Sequence, residues 1–288
     1  MINKTTLGIA VVAMLSFGMV GCGDDSDTGT GGSGGSATGG TGGGTGGMGG
    51  DGGAGGGLLG SGAVTAVHLA PDIPAEGDTA VAIFLDGEET EFQVSYTESS
   101  GRIELPAGTY DIGIGVPGGD EPVLQLDGVE IMDGSDLTVV AYRTNDPPPA
   151  VPVNVLVFNT SIDGLEAGSG RVFIGHGAND PALDPVTVAT VDDPVTTCTD
   201  VAADLGFGNI APEMGGLDLA EGNLDVVFYT GETCPPFFAD LIVDVPVTPD
   251  VSSVLIAVDE DPTDNLAFQL FGIIDADDPA PLIPPPAM

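Results

Sequence analysis

The chain has 288 residues, with 44 Asp and Glu against 4 Lys and Arg, and a formal net charge of -40. Nucleic-acid binding needs cations to displace counterions from phosphate, and an anionic membrane surface repels so acidic a chain. The 47 Gly and 23 Pro exclude a helical bundle, while the aliphatic content is too high for wholesale disorder.

Residues 1–21 read as an export signal. Lys4 precedes an apolar run from Leu7 to Val20, which is shorter than the roughly 20 apolar residues a membrane span needs. The run ends at Met19-Val20-Gly21-Cys22. This resembles the bacterial lipobox, and the resemblance implies cleavage before Cys22 and lipid on its thiol and new amine. Met19 departs from the usual Leu. Removing the signal takes away Lys4, the one lysine, and leaves Arg102, Arg143 and Arg171 as the permanent cations. Schiff-base chemistry and a phosphate-gripping lysine are thereby excluded.

Residues 22–62 are a Gly-rich tether of Gly, Ser, Thr and a few Asp, with no apolar period and hence no core. A coil of this length has a mean span of roughly 35 Å. Fully extended it reaches on the order of 130 Å. Gly31-Gly32-Ser33-Gly34-Gly35 matches a nucleophile elbow in letters only, because no strand or helix flanks it.

The remaining chain reads as all-β. Short β-branched or aromatic runs at Ala80–Leu85, Leu137–Tyr142, Val153–Phe158, Leu224–Tyr229 and Val254–Val258 are bounded by Gly, Pro, Asp or Asn. Asp200–Leu205 is expected to form one helical turn. Three segments recur in the same order. His68-Leu-Ala-Pro-Asp72 matches His176-Gly-Ala-Asn-Asp180. Leu105-Pro-Ala-Gly108-Thr-Tyr-Asp111 matches Leu219-Ala-Glu-Gly222-Asn-Leu-Asp225. Leu137-Thr-Val-Val-Ala141 matches Ser253-Val-Leu-Ile-Ala257. The expectation is two tandem Ig-like or transthyretin-like β-sandwich domains, at 63–160 and 169–276. A linker at 161–168 joins them, and a Pro-rich tail covers 277–288. Gly108 and Gly222 are expected to supply positive φ at tight turns.

The elements V-x-x-V-H-x-A-P-D-x-P-A (Val64–Ala75), a strand ending Asp-Gly (Ala82–Gly87), L-P-A-G-T-Y (Leu105–Tyr110) and T-V-V-A (Thr138–Ala141) resemble bacterial domain-of-unknown-function family 4397. The second copy departs from it at Asn179 and at Glu221-Gly-Asn-Leu. The resemblance implies exported, often lipid-anchored tandem β-sandwiches and transfers no catalytic activity.

Cys198 and Cys234 both lie in the second copy. Cys198 is expected in an insertion and Cys234 at a turn after Leu224–Tyr229. In an oxidising compartment a structural disulfide between them is favoured over a redox pair, which lacks C-x-x-C spacing. Such a bridge contributes on the order of 3–4 kcal/mol by the loop-entropy model.

His68 with Asp72, and His176 with Asp180, form the repeated constellation with metal-ligand character. One His and one Asp per domain fall short of the ligands zinc needs, so the favoured reading is a strand end and a Pro-containing turn. Gly113-Ile-Gly115-Val-Pro-Gly118 fits G-x-G-x-x-G, but Pro117 and Pro122 prevent the helix a dinucleotide requires. Asp192-Asp193 and the group Asp259, Asp261 and Asp264 are oxygen-rich, as calcium prefers, without EF-hand spacing.

The expected function is non-catalytic: a lipid-anchored cell-envelope protein with a binding, adhesion or scaffolding role. The alternative is a calcium- or small-ligand-binding module using acidic loops at the sandwich ends. No other cofactor and no nucleic-acid partner is expected. Membrane contact is through the N-terminal lipid alone, and partners are envelope or extracellular proteins or glycans. Gly23 after Cys22 favours the outer membrane or cell surface over the inner membrane.

Overall fold

The computed structural model describes residues 60–71, 80–144, 153–178, 184–191, 198–212, 215–230, 243–258 and 269–281. Among these, every regular element is a strand. The first sandwich comprises β1 (Ser61–Leu69), β2 (Ala80–Leu85), β3 (Glu88–Ser95), β4 (Ser99–Pro106), β5 (Gly108–Gly115), β6 (Leu124–Ile131), β7 (Asp136–Arg143) and β8 (Val153–Asn159). The second comprises β9 (Ser169–Gly177), β10 (Val186–Val191), β11 (Cys198–Leu205), β12 (Asn209–Ala211), β13 (Leu217–Ala220), β14 (Gly222–Tyr229), β15 (Val243–Val247), β16 (Ser252–Val258), β17 (Gln269–Ile274) and β18 (Ala280–Pro281).

The repeat is visible in the pairing. The first outer sheet runs β3-β2-β5-β6, and the first inner sheet β4-β1-β7-β8. The second outer sheet runs β11-β10-β14-β15. The second inner sheet runs β12-β9-β16-β17-β18, with β13 also on β9. In each inner sheet the opening strand lies parallel to a late one, β1 on β7 and β9 on β16. Register agrees between copies: His68 faces Ala141 and His176 faces Ala257, while Gly62 faces Leu105 and Gly170 faces Leu219. Gly62 and Gly170 share a reason. A Cβ there would lie 2.6 Å from the Met132 carbonyl and 2.4 Å from the Thr248 carbonyl, where the preceding turn folds in.

The two inner sheets also pack on each other. Alternation sends Val64, Ala66, Val139 and Ala141 toward the first outer sheet. The residues between them, Val67, Leu69, Val140 and Tyr142, join Leu156 and Phe158 in a core shared with Phe173, Val254, Ile256, Val258, Phe271 and Ile273 of the second repeat. The result is a four-layer stack, outer-inner-inner-outer. Strands buried on both faces read as unbroken apolar runs, and β1, β7 and β16 are buried almost throughout. Strands in the outer sheets, such as β3 and β6, alternate instead.

The contact is made at both margins of the first inner sheet. β8 meets β9 and β12. Beyond β17, Ala276 and Asp278 accept hydrogen bonds at 2.9 Å from the Ser99 hydroxyl and backbone N–H on β4. The surfaces are unlike. β1 presents Val67 and Leu69, whereas the equivalent positions of β9 are Gly175 and Gly177. A Cβ on Gly175 would meet Phe158 Cζ at 2.8 Å, and one on Gly177 would meet Tyr142 Cδ2 at 2.9 Å. Large side chains of the first repeat thus enter holes in the second.

Arg171 fixes the connection between repeats. Its Nε and Nη2 donate to Asp218 at 2.6 and 3.0 Å, and its Nη1 donates to the carbonyls of Ser161 and Asp163 at 2.7 and 3.3 Å. The hydrogen bond to Asp218 raises the guanidinium pKa and lowers that of the carboxyl.

Three expectations are corrected. Asp200–Leu205 is strand, not a helical turn: it lies within β11, where pairing to β10 and burial of Ala202 and Leu205 outweigh the helix preference of its alanines. Gly108 does not adopt positive φ, whereas Gly222 does, at 155°. Gly108 opens β5 with ordinary strand geometry, so the turn before it needs no left-handed residue. Cys198 is the first residue of β11, not part of an insertion; the extra residues of the second copy, 192–197, precede it.

Candidate functional site

Strand direction gives the molecule two ends. The chain enters at Gly60, beside Asp133, whose carboxylate accepts from the Ser61 N–H at 3.2 Å. β1, β3, β5 and β7 run away from that end, and their repeat equivalents β9, β11, β14 and β16 do so in the second sandwich. The far ends of the repeats adjoin, since Tyr142 packs edge-on against Phe207 at 5.8 Å.

Both histidines lie near this far end, in the interior. His68 and His176 are each 1% exposed. They belong to one repeated clasp. Tyr96, just past β3, meets the His68 ring edge-on at 6.2 Å, and Phe207, just past β11, meets His176 edge-on at 6.5 Å. The following residue, Thr97 or Gly208, is left-handed (φ 62° and 76°) and donates its N–H to the histidine carbonyl at 2.8 or 2.7 Å. The clasp ties strand one to the turn after strand three in each copy. The sequence carried its signal, an aromatic after each third strand, but the Tyr–Phe difference hides it.

Asp72, Asp180, Asp259, Asp261 and Asp264 lie outside the described residues, as do Cys22, Cys234 and Asp192-Asp193. Among the described residues no group of three His, Cys, Asp or Glu is arranged to hold a metal ion. In the glycine-rich stretch, Gly113 and Gly115 lie in β5 under Pro122, and the Gly118 N–H donates to the Glu89 carboxylate at 2.9 Å. An acid therefore occupies the place a phosphate would take.

Cys198 sits on the outward face of the second outer sheet, packed against buried Ala189, Val227 and Tyr229. The Tyr229 hydroxyl donates to Asp200 at 2.7 Å. Desolvation and this hydrogen bond push its pKa up to about 12 from 10.0. The fold favours the protonated phenol, so the stability this lends is present below about pH 10 and lost as pH rises through about 12. In an absorbance titration, Tyr229→Phe should remove a phenol ionisation at about pH 12. An alkaline titration left unchanged by Tyr229→Phe would contradict the assignment.

A cleft of about 270 Å³ opens at the near end, between Met132, Ser135, Asn159, Asp163 and Arg171. Arg171 is already committed to Asp218 and the linker, so the cleft offers no spare fork for an anion.

Arg143 contrasts with both other arginines. Arg102 contacts Asp136 and Glu104. Arg143, the last residue of β7 at the far end, has Nε and Nη1 shielded from solvent with no acceptor among the described residues.

The model of one protein family, a domain of unknown function (DUF4397), matches residues 62–186. That stretch runs from β1 through the whole first sandwich, the linker and β9 to the first residue of β10. No curated protein matches the chain. A similar solved structure is the Bacillus anthracis TIE protein, at 11% identity over 68% of this chain and with a TM-score of 0.20. The match spans 33% of that protein's length, and so low a score carries no structural inference.

Proposed function

We propose that the protein, whose residues 62–186 match the DUF4397 family model, is a non-catalytic, lipid-anchored component of the cell envelope. In this reading it presents a rigid binding or scaffolding body to envelope or extracellular proteins or glycans. The observation that carries it is the polarity of the fold. The chain enters at Gly60, and the connections after β1, β3, β5 and β7 leave from the opposite end. A lipid on Cys22 and a Gly-rich spacer would hold the body at its near end and leave the far end facing outward. The inner sheets support a scaffolding role, because the two sandwiches share one buried core.

The same reading includes a Cys198–Cys234 disulfide. Residues 231–242 join Tyr229, at the far end of β14, to Val243, which pairs with Val226. Cys198 lies on the face beside those strands, so a bridge would pin this connection across the sheet.

One experiment tests both parts. Native protein is released from intact cells by light proteolysis, and the intact and released forms are mass-mapped without reduction. The expected result is a triacylated Cys22, cleavage within residues 23–59, and a peptide pair linked through Cys198 and Cys234. An unmodified Met1, or release only after lysis, overturns the anchored reading. Two free thiols in exported protein overturn the bridge alone.

A further inference from the structure

We propose that Arg143 is the centre of a carboxylate-binding site at the far end of the first sandwich, with no counterpart in the second. This rests on the far end being the outward-facing one. Alternation along β7 places Arg143 on the face of Ala141, turned toward the first outer sheet, while Val140 and Tyr142 face the second repeat. Its neighbour across the ladder is Val153, which is apolar and buried. The guanidinium thus has Nε and Nη1 out of water, with no acceptor on either among the described residues. A charged donor in that state gains most from an acceptor brought by a ligand.

The acceptor is a carboxylate for two reasons. Its planar oxygen pair suits the planar guanidinium. A single negative charge is also repelled less than a dianion by a chain of net charge -40. The repeats differ at this point. Tyr142 and Val258 occupy equivalent register positions opposite Leu69 and Gly177. The next residue is Arg143 in the first copy and Asp259 in the second. In sequence, the second copy thus has an acid at the position of the first copy's donor.

The mature chain offers a clean readout, because Arg102, Arg143 and Arg171 are its only arginines. The purified, lipidated full chain in detergent micelles is titrated with sodium acetate, with sodium chloride at matched ionic strength as control. The three arginine Nε–Hε signals are followed by NMR. The expected result is a saturable shift of the Arg143 signal with acetate alone, with Arg102 and Arg171 unmoved. Arg143→Gln, with unchanged circular dichroism, should weaken acetate binding at least tenfold. Arg143→Lys should recover part of it.

An Arg143 signal that is absent, unmoved or shifted equally by chloride overturns the site. So does acetate binding that survives Arg143→Gln, and so does a sulfate titration producing the same saturable shift, since the site would then not be selective for carboxylate. None of these outcomes bears on whether Cys22 carries lipid, which the proteolysis experiment reads separately.

Discussion

Phe158→Ala is expected to cost about 3–5 kcal/mol, a large share of the roughly 5–15 kcal/mol that holds a typical protein folded. Phe158 is 0% exposed, yet it belongs to the core of neither sandwich. Its ring lies between the inner sheets, edge-on to Phe173 at 6.2 Å. The loss should therefore fall on the union of the two repeats. Wild-type protein should unfold in one cooperative step, with probes in either repeat coinciding. Phe158→Ala should lower the midpoint and separate the probes.

Gly175→Val examines the same contact from the other side, installing the residue that the first repeat carries there, Val67. Its Cβ would lie 2.8 Å from Phe158 Cζ and 3.0 Å from Leu156 Cδ1. Overpacking of this kind costs about 1–3 kcal/mol. In the double variant the cavity and the added methyls share a site, so the combined loss should be smaller than the two single losses added. Strict additivity in denaturant melts would mean that the two residues do not meet.

The contrast between Val67 and Gly175 also marks where the sequence stops being readable. The duplicated strands were legible because runs such as Leu137–Tyr142 and Val254–Val258 are β-branched and bounded by breakers. The order of the repeated segments was legible too, and the structure sets the histidine of each copy opposite an alanine of the matched late strand. The stacking of the inner sheets was not anticipated, although its trace is present. Leu137-Thr-Val-Val-Ala-Tyr has no alternation, whereas Glu88-Glu-Thr-Glu-Phe-Gln-Val does; the first pattern belongs to a strand covered on both faces. The glycines of β9 have no local reason, because only a neighbour's ring explains them. Asp200–Leu205 failed for a similar reason: a local preference yielded to pairing with a strand some residues away. Arg143 could not be singled out at all. Nothing in Tyr-Arg-Thr-Asn tells which arginine finds an acid and which does not.

Added salt should raise the melting temperature by at least about 5 °C between low ionic strength and roughly 1 M, because the Debye length falls from about 10 Å at 0.1 M to about 3 Å at 1 M. The cause is the self-repulsion of 44 acids offset by few cations. The edge strands β3, β6 and β11 carry several of those acids, where they also discourage edge-to-edge pairing. The same repulsion gives an unusual pH response. Asp136, desolvated despite Arg102, has a raised pKa. The stability tied to its neutral form is fully present below the unfolded value near 3.8 and lost as pH rises through the folded one. Asp218 has a lowered pKa. Its contribution is present above that unfolded value and lost as pH falls through the folded one. Acidification from neutrality thus relieves repulsion and favours Asp136, until loss of the Asp218 charge releases Arg171 and the linker it holds. At low salt the melting temperature should therefore pass through a maximum on the acid side of neutrality. Arg171→Met should blunt the fall on the acid side, since the clamp is then already absent, and should leave the rise above it intact. A flat salt response, or a maximum above pH 7, would show that the acidic surface is not what limits stability.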